Sequence, residues 1–226
     1  MSVMPFGAAA SADRNQPAIM LHVAPHAGSN NCSRVTFQCC NSGNTAGDTF
    51  LLYDLFVLAV SSDSLMHAGT GIAGIQFGID YFGSWNPEGS SSNICVFGWT
   101  LCATLQFQSP TPAWPGPGSG NLITWDPVQN CQRDPIAVAG YFYMTAYSQT
   151  SLRIKGHPSD NKVKAADCGS QEIVIEPAYP HPSGDFAVAY FSPGRTVSGV
   201  NPCMSNCVEV AVQPATWSRI KSQLGR

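Results

Sequence analysis

Side chains able to do chemistry are spread thinly along this chain. The histidines are His22, His26, His67, His157 and His181, and only the first two are close in sequence. Pro25 lies between them and argues against a shared helical face. A Cys/His pair needs only to meet in space, so a secreted hydrolase with a non-local site is one reading. None of the local signatures G-x-S-x-G, H-E-x-x-H, G-x-x-x-x-G-K-[ST] or G-x-G-x-x-G occurs. Asp80, Glu88 and Asp126 flank aromatic loops, where a glycosidase would hold paired carboxylates, but none is paired locally. Asp160, Asn161 and Asp167 offer oxygen ligands, yet Lys162 and Lys164 interrupt them and no D-x-[DN]-x-[DN]-G loop is present. No cofactor or metal is expected, and a structural calcium has no motif behind it.

The cysteines are more informative. There are nine: Cys32, Cys39, Cys40, Cys95, Cys102, Cys131, Cys168, Cys203 and Cys207. Cys203 and Cys207 have the spacing of a zinc knuckle, but the vicinal Cys39 and Cys40 do not supply a second one. A disulfide framework in an oxidising compartment is therefore favoured over a metal site. The odd count leaves at least one thiol outside it, and spacing does not fix the connectivity. Asn31-Cys32-Ser33 matches a glycosylation sequon.

Two segments, Gly83–Asn93 and Ser109–Gly120, are too rich in Gly, Pro and Ser for regular structure. Trp85 and Trp114 sit at their centres. Exposed, they would form a stacking platform for a sugar or peptide; folded back, they would cap an open end of the domain.

The positioning elements read as strands. Ala73–Tyr81 and Trp99–Phe107 alternate apolar and polar residues with period two. Phe50–Val60 and Ile136–Tyr147 are apolar on both faces, as in central strands covered on both sides or edges of a second interface. Shorter strands are expected at Ala18–Val23, Val35–Gln38, Leu122–Trp125, Leu152–Lys155, Glu172–Glu176, Phe186–Phe191 and Val208–Val212. Together they predict an all-β fold, an antiparallel β-sandwich of about ten strands. It has long Pro/Gly/Ser loops and a short C-terminal helical tail.

Composition agrees. The chain has 226 residues, 44% hydrophobic and only 11% charged, with 21 Gly and 17 Pro. The length suits one all-β domain. A net charge of −3 without a basic stripe points away from nucleic acid, and no apolar run reaches the length of a membrane span. Residues 1–17 read as the remnant of a signal peptide or a flexible N-terminus, with Ala10 and Ala12 placed as at a cleavage site. Residues 18–212 form the sandwich and 213–226 a basic tail. In that tail Thr216 would cap a short helix carrying Trp217, Ile220 and Leu224 on one stripe.

Five stretches, Gly71–Tyr81 (GIAGIQFGIDY), Gly98–Gln106 (GWTLCATLQ), Asn121–Cys131 (NLITWDPVQNC), Val138–Tyr147 (VAGYFYMTAY) and Val163–Cys168 (VKAADC), carry a family resemblance. With them goes the ending Thr216-Trp217-Ser218-Arg219-Ile220-Lys221. In these the chain resembles a group of exported bacterial proteins with a T-W-[GS]-x-[IV]-K tail. The resemblance implies a signal peptide, a sandwich distantly like cohesin modules, and a sorting or anchoring role for Thr216, Trp217, Arg219, Ile220 and Lys221. The expected protein is a secreted or cell-surface, non-catalytic structural or adhesion module. Its expected partners are a second copy of itself or an extracellular protein or glycan. A carbohydrate- or peptide-binding module using Trp85 and Trp114 is the alternative.

Overall fold

The structure is a computed structural model that describes residues 16–37, 39–62, 65, 70–85, 93–177 and 185–203. It is all-β, with two sheets packed face to face. The expected N-terminal remnant, the strand at Val208–Val212 and the C-terminal helix lie largely or wholly outside the described residues.

The first sheet has five strands in the order β1 (Ala18–Pro25), β3 (Leu52–Val60), β9 (Ile136–Ala146), β6 (Ile94–Leu101) and β5 (Gly83–Trp85). The second contains β2 (Ala46–Gly47), β4 (Ile72–Tyr81), β7 (Leu105–Gln108), β8 (Gly120–Thr124), β10 (Thr150–Lys155), β11 (Val163–Asp167), β12 (Glu172–Ile175) and β13 (Ala187–Phe191). Strand β4 is its spine. One edge of β4 pairs with β8, which in turn pairs with β7; the other edge pairs with β11 and β10 end to end. The chain leaves that edge at Gly156 and rejoins it at Val163, so residues 156–162 form an excursion from an otherwise continuous strand.

Alternation places one face of each strand in the common core, where Leu55, Val57 and Phe142 from the first sheet lie in one cluster with Ile75, Phe77 and Ile79 from the second. The expectation of a purely antiparallel fold is corrected. β2 runs parallel to β13, and β5 runs parallel to β6. Both are short strands at the edges of their sheets.

Two further corrections follow from where the backbone finds partners. The alternation over Trp99–Phe107 is not one strand. The Cys102 N–H donates to Ala139 in the first sheet, and the Thr104 N–H donates to Thr124 in the second. The chain changes sheets there while its side chains keep their period, so β6 ends and β7 begins. Val35–Gln38 also fails to form a strand over its described residues. Val35 and Phe37 instead lie across the outside of the first sheet, packed on Met20, Phe56 and Leu58. That cover explains why β3 is buried on both faces: only Leu52 is exposed along its length.

Three disulfides join Cys32 to Cys102, Cys40 to Cys203 and Cys131 to Cys168. The first two bracket the covering segment. Cys32 fastens one end of it to the sheet switch after β6, and Cys40 fastens the other to the last described residue. The third ties the β8–β9 connection to the end of β11.

Candidate functional site

The outer faces of the two sheets differ, and the difference locates the candidate site. On the first sheet, Asp54 of β3 points outward and is fully buried beneath the cover. Its carboxylate accepts hydrogen bonds from His26 Nδ1 at 2.8 Å, Asn31 Nδ2 at 2.6 Å and Arg34 Nη1 at 2.9 Å. A buried carboxylate demands such partners, because an unpaired one would have to shed its charge. All three donors belong to the cover or its entry, so the cluster is an anchor. His22, on the same strand face as His26, packs against Phe37 and Phe56, and its Nδ1 accepts the Asn44 N–H at 2.9 Å. Burial, with Arg34 adding to it, lowers the His22 pKa to about 4. Asn31 is 3% exposed with its amide spent on Asp54 and Gly28, so the sequon is occupied by the fold.

Among the described residues nothing covers the outer face of the second sheet. Its registers place Phe107, Leu122, Gln76, Lys164 and Val174 in one row across β7, β8, β4, β11 and β12. Phe107 is 56% exposed, and Leu105 beside it on the same strand face is 50% exposed. On this face lies a groove of about 400 Å3. Phe107, Leu122 and Gln76 form its floor; residues 108–111 form one wall and His157-Pro158-Ser159 the other.

Both walls are fixed from behind. The excursion at residues 156–162 lies flat on the sheet because Gly78 and Gly120 lack side chains there. A Cβ on Gly78 would come 2.4 Å from the Gly156 carbonyl oxygen, and one on Gly120 would come 2.4 Å from both His157 and Pro158. Asp160 accepts from Gln76 Nε2 at 3.0 Å and from Lys164 Nζ at 2.9 Å, and Lys164 also reaches Glu172 at 3.0 Å. The Lys164 ammonium holds the Asp160 carboxyl below its ordinary range. Opposite, Ser109 Oγ donates to the Pro112 carbonyl and accepts the Gly120 N–H, closing the base of the proline-rich loop.

Within the wall, the Ser159 N–H points at His157 Nδ1 at 3.2 Å, and Ser159 Oγ lies 2.8 Å from the same nitrogen. A backbone N–H can only donate, so Nδ1 accepts and Nε2 carries the proton of the neutral ring. Burial lowers the His157 pKa, against a smaller opposing pull from Asp160.

The two tryptophans part company. Trp114 is 5% exposed, packed edge-on to Phe77 and Trp99 and tilted against Phe142 inside the sandwich. It fills the open end of the core and has no face for a ligand, which corrects its place in a stacking platform. Trp85 is 40% exposed on β5, the free edge of the first sheet, close to Gly116. The two are not a joint surface.

The carboxylate readings separate as well. Asp126 caps its own turn, accepting from the Val128 and Gln129 N–H groups. It follows Thr124, which faces Gly74, whereas Asp80 lies six residues farther along β4, roughly 20 Å at strand rise. Glycosidase carboxylates sit within about 10 Å. Glu88 lies outside the described residues. Asp160 and Asp167 stand at opposite ends of β11, the second capping the turn to Gln171. Among the described residues no group of three His, Cys, Asp or Glu side chains converges, and no helix is long and apolar enough to cross a membrane.

Six cysteines form the disulfides. Cys95 is a buried thiol whose pKa is raised by burial, with the Ser84 side chain hydrogen-bonded to it. Cys39 is also buried, and Cys207 and the tail residues Thr216, Trp217, Arg219, Ile220 and Lys221 lie outside the described residues. Sequence reasoning missed the Asp54 cluster and the groove. A lone Asp within the apolar run Phe50–Val60 was the available signal for the first.

No protein-family model matches the sequence, and no curated protein matches it. Among solved structures the fold is similar to a cohesin module from a Clostridium perfringens family 33 glycoside hydrolase. That match has 9% identity, covers 59% of this chain and 84% of that one, and has a TM-score of 0.39. It is also similar to the sixth cohesin of scaffoldin B from Acetivibrio cellulolyticus, solved in complex with a Cel5 dockerin. There the identity is 9%, the coverage 71% and 92%, and the TM-score 0.38. The likeness is distant. Sandwiches alike at this level serve many functions.

Proposed function

We propose that this chain is an exported, non-catalytic binding module of the structural or adhesion kind. One sheet is its cross-linked mount, and the outer face of the other sheet meets a partner outside the cell. The observation that carries this reading is the contrast between the outer faces. Two disulfides and a buried carboxylate cluster hold a cover over the first, while the second keeps Leu105 and Phe107 in solvent beside a rigid groove. Disulfides persist in oxidising compartments and are rare in the cytosol, and exposed apolar side chains next to a concave polar site mark surfaces used for binding. The same chemistry supports a secreted or cell-surface setting. In this reading residues 213–226 are a sorting or anchoring tail attached to the single sandwich.

The test is intact mass after thiol alkylation, with and without prior reduction, on protein recovered from the surface fraction of its host. Protection of Cys32, Cys40, Cys102, Cys131, Cys168 and Cys203 before reduction is expected. Recovery in the cytosolic fraction with all six alkylated would overturn the reading. Deletion of residues 214–226 should leave the fold intact and change where the protein accumulates; unfolding on deletion would make the tail part of the core.

A further inference from the structure

We infer that the groove on the outer face of the eight-stranded sheet is a saccharide site, and that its ligand is an uncharged glycan stacked on Phe107. The inference rests on the binding-module reading and adds the ligand's chemical class and the residues that hold it.

A sugar ring has two faces of C–H groups and a rim of hydroxyls. It asks for a flat apolar surface on one side and neutral donors and acceptors around the edge. The groove supplies both. Phe107 and Leu122 are neighbours in register and make the apolar floor, and Pro110 and Pro158 extend it up the two walls. The rim carries amides, hydroxyls and one imidazole, with no formal charge on any lining residue other than what His157 could take up.

Hydrogen bonding makes those rim groups directional. Gln76 spends its Nε2 on Asp160, which leaves Oε1 as the acceptor. His157 accepts at Nδ1, which leaves Nε2–H as a donor. The Gln76 acceptor on the floor is thus set before a ligand arrives, which reduces the ordering cost of binding, while the Nε2 edge of His157 rests against Gly120 and seats the wall. The nearby charges are turned away: Asp160 is occupied by Gln76 and Lys164, and Lys164 is shared with Glu172. A charged polymer would find no counter-charge in the lining. The volume of about 400 Å3 falls at the low end for small-ligand sites and suits about two sugar rings.

A peptide added to the free edge of β7 is the main competing occupant. It would use backbone groups along that edge, whereas the groove is built from side chains on the face.

Isothermal titration of the oxidised protein with xylohexaose, cellohexaose and mannohexaose tests the inference, with polygalacturonate as the charged comparison. Size-exclusion with light scattering runs in parallel. At least one neutral oligosaccharide should bind, Phe107→Ala should weaken it by about tenfold or more, and Trp85→Ala should leave it unchanged. Loss of binding in Trp85→Ala with Phe107→Ala unaffected would place the sugar on the edge strand and overturn the groove. Binding of none of the neutral oligomers would overturn the ligand class. So would a dimer dispersed by Phe107→Ala, or a polygalacturonate or peptide interaction lost in that variant; in those cases the open face still binds and the module reading survives. If Phe107→Ala alters no interaction, both ideas fall.

Discussion

Strands of both sheets turn alternate side chains inward and outward, yet the outward-facing residues have opposite fates. On the five-stranded sheet, outward Met20, Phe56, Leu58 and Tyr141 are buried under the segment between Cys32 and Cys40. On the eight-stranded sheet, outward Leu105 and Phe107 stay in solvent. A single-layer cover of irregular chain has little core of its own, so it relies on cross-links and on the Asp54 cluster to stay down. The open face has no such cover to fasten: the 156–162 excursion is held by the sheet beneath it, and the proline-rich loop is anchored by Trp114 in the core between the sheets. Stability is concentrated on one side of the molecule, and the surface free to bind on the other.

Cutting the fasteners should have the largest effect. Replacing Cys32 and Cys102, or Cys40 and Cys203, by Ala removes loops closed over 70 and 163 residues. Each pair should cost about 4 kcal/mol of unfolding free energy, read by denaturant titration. Loss of the Cys131–Cys168 pair, which does not touch the cover, should leave His22 and His26 in their native environments by NMR.

Asp54→Ala comes next. It leaves Asn31 Nδ2 without its buried acceptor and removes the partner of the half-buried Arg34 and His26, and a loss of about 3 kcal/mol is expected. A loss below 1 kcal/mol would mean the cover is held without its anchor.

Acid should then loosen the covered face selectively. The His22 pKa falls from 6.5 to about 4 on folding, so the unfolded chain binds the proton more readily. Its contribution is complete above pH 6.5 and is lost as the pH falls towards 4, amounting to about 3 kcal/mol. His22→Phe should flatten that part of the pH–stability curve. Unchanged acid sensitivity would assign it to the carboxylates.

The smallest effect is expected on the open face, where Leu105→Ser should change stability by no more than about 0.5 kcal/mol.

Much of the architecture could be read from the sequence, and the misses have physical causes. The alternation of Ala73–Tyr81 identified β4, and the two-sided apolarity of Phe50–Val60 and Ile136–Tyr147 pointed to central strands covered on both sides or to edges of a second interface. What lay on them could not be read, because Val35 and Phe37 pack by side chains alone and make no ladder pattern. The break between β6 and β7 was invisible for a related reason: period two is the same in either sheet, so a change of partner leaves no trace. Trp114 reads from sequence as platform or plug, with the plug favoured, and the aromatic pocket formed by Phe77, Trp99 and Phe142 decides for the plug. The groove had no local signature, since Gln76, Phe107, Leu122 and His157 come from four separate segments. Disulfide pairing depends on the same long-range geometry.

Phe56 and Phe107 offer the most direct test, being the same residue type on the outer faces of the two sheets. Unfolding free energies of Phe56→Ala and Phe107→Ala in the oxidised protein should separate widely. The first should lose about 3–5 kcal/mol as a core deletion, and the second should stay within about 0.5 kcal/mol of the parent. Equal losses would mean that the eight-stranded sheet is covered as well, and would contradict a free binding face.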